Sequence, residues 1–101
     1  MKRFMQSLAL AASFSVAMAA NGTGAMTCDS GDQSTWKTKE ALEQSLVAEG
    51  WQVRKVKVDG GCYEVYGTTP EGDRVEAYFD PINLEKLYVA RRGEVLFKKA
   101  D

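Results

Sequence analysis

The groups in this 101-residue chain best suited to chemistry are two cysteines, Cys28 and Cys62, and four side chains at alternating positions, Glu64, Tyr66, Glu76 and Tyr78. The chain has no histidine, so the cysteines make a poor metal set, and Ser-His-Asp or Cys-His catalysis is excluded. In an oxidising compartment two lone cysteines pair. A Cys28–Cys62 bridge closes a loop of about 34 residues, worth roughly 4 kcal/mol in the chain-entropy model. Glu64 and Glu76 can act as a general acid and base only in a cleft that raises one of their pKa values. On an open sheet face, beside Tyr66 and Tyr78, they serve instead as a recognition surface or as cross-strand stabilisers. Ser30, Ser34 and Ser45 have no base at hand, and Asp29 and Asp32 lack the alternating ligands of a calcium loop. The expectation is a protein without catalytic residues, metal or cofactor, whose candidate protein-contact surface is Glu64, Tyr66, Glu76 and Tyr78.

The N-terminus reads as an export signal. Met1-Lys2-Arg3 is positive, Phe4 to Ala20 is apolar or small apart from Gln6 and three serines, and Ala17-Met18-Ala19 fits a cleavage site. Residues 1–19 are expected to be a signal peptide, with a cut after Ala25 as the alternative. The apolar run is short for a membrane span, and Ala25-Met26-Thr27 lacks the residues that precede a lipidated cysteine. The mature protein is therefore expected in the periplasm or outside the cell, with no stable membrane anchor. Cleavage takes Lys2 and Arg3 from 13 basic residues set against 14 acidic ones, so the net charge moves from −1 to −3. That balance excludes a nucleic-acid partner, which needs a concentrated basic surface.

About 80 residues remain, one domain in which a marginal core benefits from a covalent staple. Residues 20–34 are Gly-, Ser-, Thr- and Asp-rich and are expected to be a flexible segment tethered by Cys28; residues 35–101 form the folded domain. Thr38 is a helix N-cap, Glu40 sits in the first turn and Gly50 ends the helix, with Leu42 and Leu46 as its apolar stripe. From Trp51 the period becomes two. Trp51 and Val53 alternate in one phase and Val56 and Val58 in the other, so a β-bulge is expected near Arg54-Lys55. Asp59-Gly60-Gly61 is a turn, and Thr69-Pro70-Glu71-Gly72-Asp73 suits a three-residue hairpin loop. That loop sets Tyr63 opposite Phe79, Val65 opposite Ala77 and Gly67 opposite Val75 on one side; Glu64 faces Tyr78 and Tyr66 faces Glu76 on the other. Asp80 to Leu84 turns the chain, and Leu87, Val89, Val95 and Phe97 continue the strands, with a tight turn at Arg92-Gly93. The expected fold is α+β: one N-terminal helix packed on a four- or five-stranded antiparallel meander sheet, with one disulfide.

The series Trp36, a short helix, Gly50-Trp51-x-Val53, Val56, Gly61-Cys62-Tyr63-Glu64-Val65, Gly72 and Tyr78-Phe79-Asp80-Pro81 resembles the PepSY domain, in its small stand-alone periplasmic form. The resemblance runs from about Trp36 to Leu87. Asn83-Leu84 stands where that family has a Thr-Gly turn. PepSY domains occur in the propeptides of thermolysin-like metallopeptidases, so the resemblance implies a protein-binding module that regulates or inhibits a peptidase or other periplasmic protein. The rival reading is a structural protein that self-associates through a sheet edge. A small-molecule carrier is weaker, because the apolar residues suffice for one core and leave no cavity lining. The groups Arg54-Lys55-Lys57, Arg91-Arg92 and Lys98-Lys99 are read as solvated positions that also protect edge strands.

Overall fold

The computed structural model describes residues 24–100; the signal peptide expected at 1–19 lies outside them. A single-turn 3-10 helix at Gln33–Thr35 leads to helix α1 (Lys39–Ala48), and five strands follow: β1 (Gln52–Asp59), β2 (Cys62–Thr68), β3 (Arg74–Phe79), β4 (Lys86–Arg91) and β5 (Glu94–Lys98). All neighbours pair antiparallel in the order β1-β2-β3-β4-β5, the full meander. The helix precedes the sheet but begins only at Lys39, well inside the chain rather than at its N-terminus.

Helix α1 is delimited by its caps. The Thr38 hydroxyl accepts the Ala41 N–H at 3.0 Å, and Glu40 lies in the first turn, where the helix dipole favours an acid. At the other end Gly50 takes φ 102°, and the Gly50 and Trp51 N–H groups return to the Val47 and Leu46 carbonyls, both at 3.0 Å. This paired closure needs a left-handed residue and so selects glycine. It also swings Trp51 onto the face of Leu46, which starts β1 against the helix. Only Leu42 and Leu46 of the helix are buried. They meet Trp51, Tyr63, Val65, Val75, Ala77, Phe79 and Val89 in one core. Edge-to-face ring pairs lock both ends of that core: Trp36 on Tyr63 at 5.5 Å and Trp51 on Phe79 at 6.0 Å.

The β2–β3 register is the expected one at every pair, and the Thr69–Asp73 loop closes through Thr69 N to Asp73 O at 2.8 Å. The expected bulge lies between Val53 and Lys55. Two turns hold non-glycine residues at positive φ: Leu84 at 63° and Arg92 at 52°. Leu84 occupies the turn position at which the sequence departs from Thr-Gly, and its side chain packs against the core margin.

Candidate functional site

The sheet has two faces. The inner face carries the core; the outer face carries every other residue of the strands, including Asp59, Cys62, Glu64, Tyr66, Glu76 and Tyr78 by register. The disulfide joins Cys28 to Cys62, with Cα atoms 5.2 Å apart. Because Cys62 shares the parity of Glu64, this bridge brings the N-terminal segment onto the outer face.

That segment is held at more points than the cysteine. Gly24 N donates to Asp59 Oδ2 at 2.9 Å, Ala25 N donates to the Tyr78 hydroxyl at 3.2 Å, and Cys28 N donates to the Gly60 carbonyl at 2.7 Å. The Trp36 indole N–H reaches the Ser30 carbonyl at 2.9 Å. The approach is close: a Cβ at Gly60 or Gly61 would collide with the carbonyl oxygens of Met26 and Cys28. Residues 24–30 thus form a strap across one end of the outer face. Asp32 caps the 3-10 turn by accepting the Ser34 N–H at 2.9 Å, a bond that lowers its pKa.

The four candidate contact residues come together in the expected pairs but not on an open face. Glu64 and Tyr78 are both 0% exposed; Tyr66 and Glu76 are half-buried. The Tyr78 hydroxyl donates to Asp59 Oδ2 at 2.6 Å, and its ring packs edge-on against Tyr88 at 5.9 Å. Tyr66 stands among Glu64, Glu76 and Asp59, with Lys57 Nζ 5.5 Å over its ring. Burial first, then the charges of Glu64 and Glu76 and a hydrogen bond to Glu64, push its phenol from 10.0 up to about 12. At neutral pH Tyr66 is therefore a hydrogen-bond donor and no base. Burial likewise raises Tyr63, whose hydroxyl donates to the Lys37 carbonyl at 2.7 Å.

A pH dependence follows. The folded state holds the Tyr66 proton to about 12 whereas the unfolded chain releases it near 10.0. This contribution is complete below pH 10 and is lost as pH rises through the folded value. Stability is expected to fall steeply between pH 10 and 12. Tyr66→Phe should flatten that limb in denaturant titrations, and an equally steep limb in the variant would assign the loss to other groups.

The last strand of the sheet offers a second candidate surface. Val95 and Phe97 continue the strand pattern as expected, in a β5 that is exposed throughout, with Val95 at 50%, Leu96 at 39% and Phe97 at 37%. Leu96 and Phe97 line an open groove of about 520 Å³ with Trp51, Val89, Pro70 and Lys86, whose Nζ lies 4.5 Å over the Phe97 ring. Among the described residues the strand's other side has no neighbouring strand, so its backbone groups form an open sheet edge. Among the described residues no helix is long and apolar enough to cross a membrane.

The sequence matches the family PepSY_2, described as peptidase propeptide and YPEB domain, over residues 5–88. No curated protein and no solved structure matches the chain.

Proposed function

The chain belongs to the PepSY family, and from that membership together with the open edge of its sheet we propose that it is an exported, non-enzymatic module that binds an extended segment of another protein and so regulates or inhibits a peptidase. The observation that carries this reading is β5: three consecutive apolar residues on an unpaired edge, beside a groove floored by Trp51, Val89 and Phe97. An extended peptide adding as a sixth strand satisfies the edge backbone and buries alternate side chains in that groove. The absence of histidine from the sequence and the oxidised state of both cysteines support a binding role over a catalytic one. Export rests on the leader, and Tyr66 and Glu76 remain candidates for further contact on the outer face.

The test is Leu96→Lys/Phe97→Lys, which places charge on the edge and in the groove. Capture of partners from periplasmic extract and inhibition of the captured peptidase should both fall about tenfold or more, since buried apolar anchors dominate such interfaces. Folding should be little changed, because both side chains are exposed already. Undiminished capture by the folded variant would remove β5 as the site. Sedimentation of the unmutated protein distinguishes the rival: a stable dimer at micromolar concentration, broken by the same variant, assigns the edge to a second copy. Tyr66→Ser/Tyr78→Ser is a poor probe of the outer face, because Tyr78 is buried and bonded to Asp59.

A further inference from the structure

The outer face is polarised along the strands. Asp59, and Asp80 just beyond β3, lie at the end crossed by the strap; Arg54, Arg74 and Arg92 lie at the other. These three arginines come from the β1 bulge, the start of β3 and the β4–β5 turn. They line one open groove of about 250 Å³, with Tyr66, Glu76 and Ala90. Among the described residues none of the three forms an ion pair. The nearby acids are committed elsewhere: Arg91 takes Asp73 at 2.6 Å and Glu94 at 3.1 Å. Glu76 is the one acid lining the groove; counting Arg91 with its two partners, four arginines here exceed three acids by one charge.

Arg92 is also conformationally misplaced. At φ 52°, followed by Gly93 at 82°, it occupies the first central position of a two-residue hairpin turn that favours Asn or Gly. A side chain held in that region costs free energy, and such strain is retained where position matters. Arginine at this position costs stability and sets a third guanidinium beside the groove.

We propose that this groove is a binding site for an acidic peptide segment, distinct from the β5 edge and on the opposite face. Three guanidinium forks match carboxylates, whose bidentate pairing favours arginine over lysine. Glu76 opposes a phosphate dianion or a plane of anionic headgroups, but accepts backbone N–H groups, which a peptide supplies beside its carboxylates. Tyr66 and Ala90 provide an apolar floor. The chain's net charge of −1 also argues against a membrane surface and leaves this patch as a local attraction.

The test uses a fluorescent hexaglutamate peptide and the disulfide-bonded protein at low salt. Binding should weaken about tenfold or more in Arg54→Gln/Arg74→Gln/Arg92→Gln and fall steeply with added salt. Arg92→Asn separates function from folding: its melting temperature should rise by about 4 °C while peptide binding falls about fivefold. Leu96→Gln/Phe97→Gln, which alters the β5 edge without adding charge, should bind the peptide as the unmutated protein does, so the two surfaces fail or succeed independently. Inorganic phosphate and phosphatidylglycerol vesicles serve as competitors. No peptide binding, binding unaffected by the triple change, or tighter binding of either competitor than of the peptide would each overturn the proposal.

Discussion

Removing the Cys28–Cys62 bridge, as Cys28→Ala/Cys62→Ala, should lower the unfolding free energy by about 4 kcal/mol and the melting temperature by about 20 °C. The bridge spans a sequence separation of 34, so its loss returns a long loop's worth of freedom to the unfolded chain. A domain this small holds only a few kcal/mol in reserve. Alanine is preferred to serine because Cys62 is wholly buried, and a hydroxyl there would add the separate cost of an unpaired polar group. The folded population that survives should lose its strap first. The bonds from Gly24 to Asp59, from Ala25 to Tyr78 and from Cys28 to Gly60 are single contacts made by a segment with no regular structure of its own. Amide exchange at Cys28 should therefore accelerate more than exchange at Leu46. Thermal unfolding of the oxidised protein and the double variant measures the first effect, and native-state hydrogen exchange the second. A loss below about 1 kcal/mol would mean that the strap holds the outer face without its staple.

Much of the sheet was legible because its signals are local. The β2–β3 register follows from Tyr63, Val65, Ala77 and Phe79 sharing a phase around a loop with Pro70 and Gly72. The bulge at Arg54 follows from the phase change between Val53 and Val56. The outer face was misread because the residues that cross one end of it arrive from more than thirty positions upstream. The signal was present even so: Cys62 has the parity of Glu64, so a bridge from Cys62 must bring its partner to that side. The exposure of β5 has a geometric cause. A helix about 10 Å across covers two or three strands spaced about 4.8 Å apart, and α1 sits against β1. Val95 and Phe97 signal a strand, but an irregularity between Val89 and Ala90 sets Phe97 opposite Val89 on the helix side and Val95 opposite Ala90 on the outer face, which spacing alone does not reveal. The arginine groove was beyond sequence reading because a bulge, the start of a strand and a turn each contribute one arginine to it.

Gly67→Ala is expected to cost about 3 kcal/mol, more than its single added methyl suggests. Gly67 is buried in the middle of the sheet, between Val53 of β1 and Val75 of β3. It has no positive φ to explain the glycine. The reason is contact: a Cβ there would collide with the Gln52 carbonyl oxygen and lie 3.3 Å from Val53 Cα. Both obstacles are backbone, so no rotamer change relieves them; the start of β1 must move. Trp51 immediately precedes that point, and its ring is packed on Phe79, so the shift is transmitted into the core and to the floor of the β5 groove. Gly72→Ala is the matched control. Gly72 has φ 97° but open space around it, so its cost is conformational only, about 1 kcal/mol. Denaturant unfolding followed by tryptophan fluorescence should separate the two variants by about 2 kcal/mol, with the native spectrum altered only in Gly67→Ala. Equal costs would show that β1 does not press on Gly67. A larger cost at Gly67 ties the placement of Trp51, and with it the binding groove, to a glycine that alternation alone marks as an ordinary strand position.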